Sequence, residues 1–317
     1  MSTPISFSRC NICAALVDPR HDRRWRKDGH DILECPSCGT LFRADLPNAD
    51  ELRTIYSGSY FLENDGETAG QGYKDYLSEE TNHRANAAAR LSLLAAHTAP
   101  GDLLDVGCAA GFFLDEARSR GWTVAGVELA PTMAAYARSQ LSLDVQETEF
   151  ADFEDGSGTF DAITMWDYIE HSTDPANDLR HAAQLVRAGG LLALSTGDAS
   201  SFVARISGSR WHLLTPRHHN FFFTQASIQR AIRDAGFEVL SASYVSNRYS
   251  IHYLVHKLRT IKDSRGLRRA SDAIGRSRIG GAAIPVNLFD IVTVVAKRTA
   301  TAEANQPSRT ASNTRTA

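Results

Sequence analysis

No apolar run in this chain approaches the roughly 20 residues that a membrane-spanning helix needs. The opening stretch, MSTPISFSRC, lacks a basic flank followed by an apolar segment, so no secretory signal is read and a cytoplasmic protein is expected. There is little excess of one charge: 34 Lys and Arg face 37 Asp and Glu for a net charge of -3, which excludes a generic polyanion binder. No internal repeat is present, which excludes solenoids and propellers. Cysteine is scarce, with five residues, and an odd count without a signal peptide does not suit a disulfide scaffold. What is present, 43% hydrophobic and 9% aromatic residues in 317, excludes collagen-like, low-complexity and wholly disordered classes. That length suits two domains, or one domain with appendages, around a substantial core.

Patterning divides the chain. Residues 1–60 hold four of the cysteines and few periodic apolar runs, and residues 61–100 form a linking segment with a helix predicted over 73–97. From 101 to 297, apolar strand-like runs (102–106, 122–128, 143–147, 160–166, 190–196) alternate with helix-like ones (111–121, 131–140, 175–187). A helix over 227–236 and strands over 237–245 and 287–297 follow. Such alternation predicts an α/β fold, a parallel sheet with helices on both faces. Two inserts interrupt it: an aromatic and histidine-rich stretch at 197–224, and a basic, predicted helical stretch at 246–286. The tail, 298–317, has almost no apolar bulk and is expected to be disordered.

The most informative segment is Asp105-Val-Gly107-Cys-Ala-Ala-Gly111, after a predicted strand and before a predicted helix. Glycines there let a ligand approach the backbone, and the helix offers unpaired N–H groups. Glu128 ends the next strand, where a carboxylate can accept both hydroxyls of a ribose. The spacing is not the G-x-G-x-x-G of dinucleotide sites, and Asp105 at the mouth would repel a pyrophosphate. A cationic ligand bearing an amino group is attracted instead. Together with FDAITMWDYIEHSTDP (160–175) and LVRAGGLLALST (185–196), the stretch LLDVGCAAGFFLDEARSRGWTVAGVELA resembles the ordered motifs of class I S-adenosylmethionine-dependent methyltransferases. The resemblance implies a Rossmann-like seven-stranded sheet. It also implies that Gly107 and Gly111 line the methionine moiety of S-adenosylmethionine, with Asp105 near the ammonium and Glu128 on the ribose. Trp166 and Asp167 would face the methionine end, and Thr148, Glu149 or Phe150 the adenine.

Cys10-x2-Cys13 and Cys35-x2-Cys38 form two knuckles, each with two sulfurs facing one point. Four thiolates suit tetrahedral zinc, and a closed four-thiolate sphere makes the metal structural. This predicts a small zinc-ribbon domain over residues 1–60. Cys108 is read as a packing residue. The order of the cysteine pairs, ELRTIYSGSYF and the core motifs resembles methyltransferases of bacterial polysaccharide and deoxysugar gene clusters, including sugar C-methyltransferases. That implies a small-molecule acceptor, a nucleotide-linked sugar or a glycan, and no stable nucleic-acid complex.

Methyl transfer needs alignment, exclusion of water and often removal of one proton. Ligands bind at the carboxyl edge of such sheets. His171, just past the fourth strand, and His219, in the insert WHLLTPRHHNFFFT, are the candidate bases, with His218 as an alternative to His219 and Tyr168 as an orienting partner. Tyr56 and Tyr60 are candidates to close the site, and Trp211 with Phe221–Phe223 to wall it, with core packing expected for at least two of those phenylalanines. The basic run 257–278 suits an anionic membrane face or a diphosphate. Two other functions compete. One is an RNA methyltransferase that clamps nucleic acid with the ribbon, although seven Lys and Arg against five acids in 9–43 make a weak footprint. The other is a non-catalytic regulator that senses S-adenosylmethionine.

Overall fold

The computed structural model describes residues 8–48, 51, 52, 54, 76–154, 160–255, 274 and 282–299. Tyr56, Tyr60, the basic run apart from Ile274, and the tail beyond 299 lie outside the described residues.

The N-terminal part contains β1 (Ser8–Arg9), β2 (Leu16–Val17), β3 (Arg23–Lys27), β4 (His30–Glu34) and β5 (Leu41–Arg43). A 3-10 turn at Tyr76–Glu79 leads into α1 (Glu80–Ala95). The alternating region follows as β6 (Asp102–Val106), α2 (Phe112–Ser119), β7 (Thr123–Val127), α3 (Pro131–Leu141), β8 (Asp144–Gln146), β9 (Phe160–Trp166), α4 (Pro175–Leu185) and β10 (Val186–Gly197). Then come α5 (Phe202–Ser207), β11 (Phe221–Phe222), α6 (Gln225–Asp234), β12 (Phe237–Tyr244), β13 (Asn247–Ser250), β14 (Ala283–Val286) and β15 (Ile291–Arg298).

Seven strands form one sheet in the order β12-β15-β10-β9-β6-β7-β8. The pairs among β10, β9, β6, β7 and β8 are parallel, and β15 runs antiparallel between β10 and β12. Every residue of β9 is buried, as expected for a central strand covered on both faces. Leu91 and Leu94 of α1, Leu114 of α2 and Ala137 of α3 pack on one face. Leu179 of α4 and Ile228 and Ile232 of α6 pack on the other. The α/β fold expected from the alternation, and the Rossmann-like seven-stranded sheet that the resemblance implies, are therefore present, with the glycine loop at the carboxyl edge of β6. Asp161, read as structural, accepts from the Asp102 N–H at 2.7 Å and pairs with Arg187. Among the described residues, no helix is long and apolar enough to cross a membrane.

The structure adds two links between parts of the chain. The cysteine-bearing part is joined to the rest: β3, β4 and β5 share a four-stranded sheet with β11, which comes from the aromatic insert. Cys10, Cys35 and Phe42 belong to the same apolar core as Met165, Phe221 and Phe223. Asn11 adds a polar link, donating to Asp174 and accepting from the Ala176 N–H at the start of α4. The stretch 246–286, expected to carry a basic helical segment, is flanked by the antiparallel pair β13–β14; its described residues 251–255 and Ile274 are helical, and the rest of its interior lies outside the described residues. The phenylalanines of the aromatic insert are core rather than wall, since Phe221, Phe222 and Phe223 are all buried and the Trp211 indole donates to Asp290.

Candidate active site

One cavity runs along the carboxyl edge of the sheet, lined by the glycine loop, the ends of β7 and β9, the 3-10 turn before α1, and the aromatic insert. Its first half is built on β6 and β7. Asp105 is 3% exposed and accepts from Thr164 Oγ1 at 2.6 Å. Burial pushes its carboxyl up to about 7, against that hydrogen bond. Glu128 is 5% exposed and accepts from the N–H groups of Ala109 (2.8 Å) and Ala130 (2.7 Å), clamping the glycine loop to the end of β7. Burial raises its carboxyl too. Gly107 has φ +72, and a Cβ there would sit 2.8 Å from Tyr168 Cδ2, so only glycine lets the Tyr168 ring approach the loop at this point of the cavity wall. The roof is aromatic. Tyr76 stacks on His83 with centroids 4.0 Å apart, and both stack on Phe112.

The second half is built from the segment after β9 and the aromatic insert. Asp167 has a left-handed φ of 53. It is held there by Arg90, whose Nη2 donates at 2.8 Å, and by Ser195 Oγ, which donates at 2.8 Å. The Arg90 guanidinium lies over the Trp166 ring at 4.7 Å. Glu170 is buried and accepts from Thr196 Oγ1 at 2.9 Å, and burial with the Asp167 charge raises its carboxyl. His171 and His219 stand edge to face with centroids 4.7 Å apart. His171 Nδ1 meets the His218 carbonyl at 2.9 Å, and His219 Nδ1 meets the Leu213 carbonyl at 3.0 Å. A carbonyl can only accept, so each Nδ1 carries a proton, which leaves Nε2 as the ring atom that can take one. Burial lowers His171 to about 4, which keeps it uncharged at neutral pH. The ligand atoms of Glu170, His171 and His219 lie within 4.8 Å of one another, a cluster compact enough to hold a divalent cation.

The four N-terminal sulfurs form the other cluster, all within 4.8 Å of one another. Cys10 and Cys38 sulfurs are 3.6 Å apart and those of Cys13 and Cys35 are 3.5 Å apart. Those separations are near the edge, about 3.8 Å, of a tetrahedron with metal–sulfur bonds of about 2.3 Å. They are far too long for disulfides, and the chemistry of four converging thiols fits zinc.

A family model described as a methyltransferase domain matches residues 78–242, just over half of the chain. The chain belongs to this family. It is an S-adenosylmethionine-dependent methyltransferase, and similar proteins are consistent with that class. The ubiquinone biosynthesis O-methyltransferase of Thiobacillus denitrificans is 32% identical over 148 residues, covering 43% of this chain and 64% of that protein. Its namesake in Aromatoleum aromaticum is 30% identical over 177 residues, covering 49% of this chain and 76% of that one. Among solved structures, the YcgJ protein of Bacillus subtilis has a TM-score of 0.50 at 14% identity, covering 68% of this chain and 99% of that one. The [4+2]-cyclase SpnF also has a TM-score of 0.50, at 16% identity, covering 80% of this chain and 98% of that one. These two share the fold alone, and a cyclase among them shows that the fold does not set the reaction.

In this methyltransferase, Asp105, Gly107, Glu128, Glu149, Phe150, Trp166, Asp167, Tyr168, His171 and His219 all border the one cavity. Gly111 does not. Its φ is +83, and a Cβ there would meet Leu143 Cδ1 at 2.5 Å, so it is a packing glycine at the start of α2. The orienting role given to Tyr168 is also revised. Its hydroxyl donates to Asp178 at 3.0 Å and its ring packs against Phe150, so it is a wall, and backbone carbonyls orient the histidines. Cavity residues that the sequence did not single out include Tyr76, His83, Arg90 and Glu170. Glu170 carried a signal, standing beside His171. The other three sit on a segment whose helical period marks a face to bury but not what lies opposite.

Proposed function

We propose that the methyltransferase acts on a hydroxyl of a small-molecule acceptor. The observation that carries this reading is the pairing, in one cavity, of two buried acids suited to the donor with two adjacent imidazoles suited to a hydroxyl. Gly107, Asp105 and Glu128 fit the donor: the glycine presents bare backbone to the cavity, one acid suits an ammonium, and the other retains lone pairs for ribose hydroxyls. S-adenosylmethionine supplies an activated methyl group. His219 Nε2 takes the hydroxyl proton as the oxygen attacks, and His171, held neutral, accepts a second hydrogen bond from the acceptor. Arg90 and Asp167 brace the wall between the two halves. The relatives named for O-methyl transfer in ubiquinone biosynthesis support a hydroxyl acceptor, whereas the sugar-linked acceptor implied by the gene-cluster resemblance has no such support. A second reading of the same residues follows from the compactness of Glu170, His171 and His219. These three would hold a divalent cation, which would lower the pKa of a bound hydroxyl. The four N-terminal cysteines would hold a structural zinc.

The deciding experiment supplies labelled S-adenosylmethionine with three acceptor pools: caffeic acid as an ortho-diphenol probe, a nucleotide-sugar mixture, and total RNA. Label on the phenol oxygen is the expected result. Label in the sugar or RNA pool alone overturns the reading, and no label in any pool with intact cofactor binding points to a sensor.

Two measurements test the donor half. Glu128→Ala should weaken S-adenosylhomocysteine binding by about 1.5–3 kcal/mol, the scale for hydrogen bonds to a charged group, as read by calorimetry. Affinity for S-adenosylmethionine should rise as pH increases through about 7. The Asp105 carboxyl, held up by burial, then ionises to meet a cation. Asp105→Asn should flatten that dependence, and an unchanged slope would remove Asp105 from the donor site.

A further inference from the structure

His171 and His219 come from two irregular segments, the turn after β9 and the turn that precedes β11. No ladder of regular structure joins these segments directly, yet the rings meet. Asn220 joins them. Its own N–H and that of Phe221 both donate to the Glu170 carbonyl, at 2.8 and 3.1 Å. Its side-chain amide donates to the carbonyls of His171 (2.7 Å) and Ser172 (3.3 Å). Each amide hydrogen is thus spent on the 170–172 segment. On its other side, Asn220 is held by Arg43, the last residue of β5. The Arg43 N–H donates to the Asn220 carbonyl at 2.9 Å, and Nη1 reaches Asn220 Oδ1 at 3.4 Å. Arg43 is itself fixed by the Asp45 carbonyl at 2.8 Å. Asn220 is 2% exposed and Arg43 7%, so water does not stand in for a lost partner. Cys35 follows β4 directly, and its N–H donates to the Thr40 carbonyl just before β5. The strand that carries Arg43 is therefore tied to the four-cysteine cluster.

We propose that Asn220 and Arg43 are positioning residues, a joint through which the four-cysteine sheet fixes the spacing of His171 and His219. This rests on the reading of those histidines as the groups that face the acceptor. The donor half, on β6 and β7, hangs on different bonds, so the joint acts on one half of the site only.

Asn220→Asp keeps the shape of the side chain but turns an oxygen toward two carbonyls. Methyl transfer to caffeic acid should lose about 10²-fold in kcat, the scale of a roughly 1 Å misplacement, while affinity for S-adenosylhomocysteine stays within about twofold. Introduced into the His171→Ala/His219→Ala protein, the same change should lower kcat by less than about twofold, since the residues it positions are gone. A role in stability alone would cost the same factor in both backgrounds, and that result overturns the proposal, as does parental kcat in folded Asn220→Asp. Should Asn220→Asp fail to fold, Arg43→Gln, which lies outside the cavity, carries the same expectations. Backbone hydrogen exchange supplies a readout that needs no acceptor. Amides of 168–173 and 213–222 should exchange faster in the variant and those of 103–130 should not; unchanged exchange in both histidine segments overturns the joint. If instead the double-histidine variant keeps full activity, the acceptor-side reading of the histidines fails, while the exchange result still reports on the joint.

Discussion

Cys35→Ser protein is expected to carry no zinc and to have an open N-terminal sheet, where the parent is expected to carry about one zinc per chain at four thiolates. Small zinc modules owe on the order of 10 kcal/mol of apparent folding free energy to the metal. Here the module lacks an independent core. Cys10 and Cys35 share their apolar surroundings with Phe42, Phe221 and Phe223. Losing the metal should therefore reach β11, which pairs with β5, and through it the segment carrying His219. Strands β6, β7 and β9 make their ladders with one another and should persist. The expected signature is a split: much faster hydrogen exchange over residues 8–45 and 213–223, little change over 103–130, and binding of S-adenosylhomocysteine within about threefold of the parent. Metal analysis of purified parent protein showing no zinc, with all four thiols titratable in the folded state, would remove the premise. Uniform unfolding of the whole chain on chelation would show that the two halves of the site are not separable.

The parts of this architecture that were legible in the sequence are those that local chemistry dictates. Strands β6 and β9 read from apolar runs, α3 and α4 from the helix-like runs between strands, and the donor site from Asp105, Gly107 and Glu128 at fixed places around strands. The cysteine knuckles read from spacing alone. What was not legible is what depends on long-range pairing. Two residues of β11 carry no periodicity, and their partner is β5, at the other end of the chain. The hairpin β13–β14 closes across more than 30 intervening residues and left no turn signal to find. Gly111 illustrates a different limit. A glycine in a motif can serve the ligand or the neighbouring helix, and only the position of Leu143 decides. Asn220 shows a third: a buried amide has no sequence signature until the carbonyls it satisfies are known.

The His171→Ala/His219→Ala variant should lose about 10²–10⁴-fold in kcat toward a hydroxyl acceptor with cofactor affinity nearly intact, the range for removal of a general base. Single variants should separate the two rings. His171 is lowered to about 4 by burial, so it is uncharged at working pH and a weak base. His219→Ala alone should then account for most of the loss, and His171→Ala for a smaller one. Each substitution removes a ring that bonds to a backbone carbonyl, so kcat is read on variants whose circular dichroism matches the parent. A divalent cation at the same point makes a different pattern. Because Glu170, His171 and His219 would act as one ligand set, removing any of them should cost nearly the full factor, and Glu170→Gln should match His219→Ala. Chelation followed by titration with magnesium or manganese then separates the two chemistries: restored turnover assigns the cluster to a cation, and turnover indifferent to metal assigns the proton to His219. Full activity in the double variant would leave neither, and would reduce this half of the cavity to a wall that aligns the acceptor and sheds its proton to water.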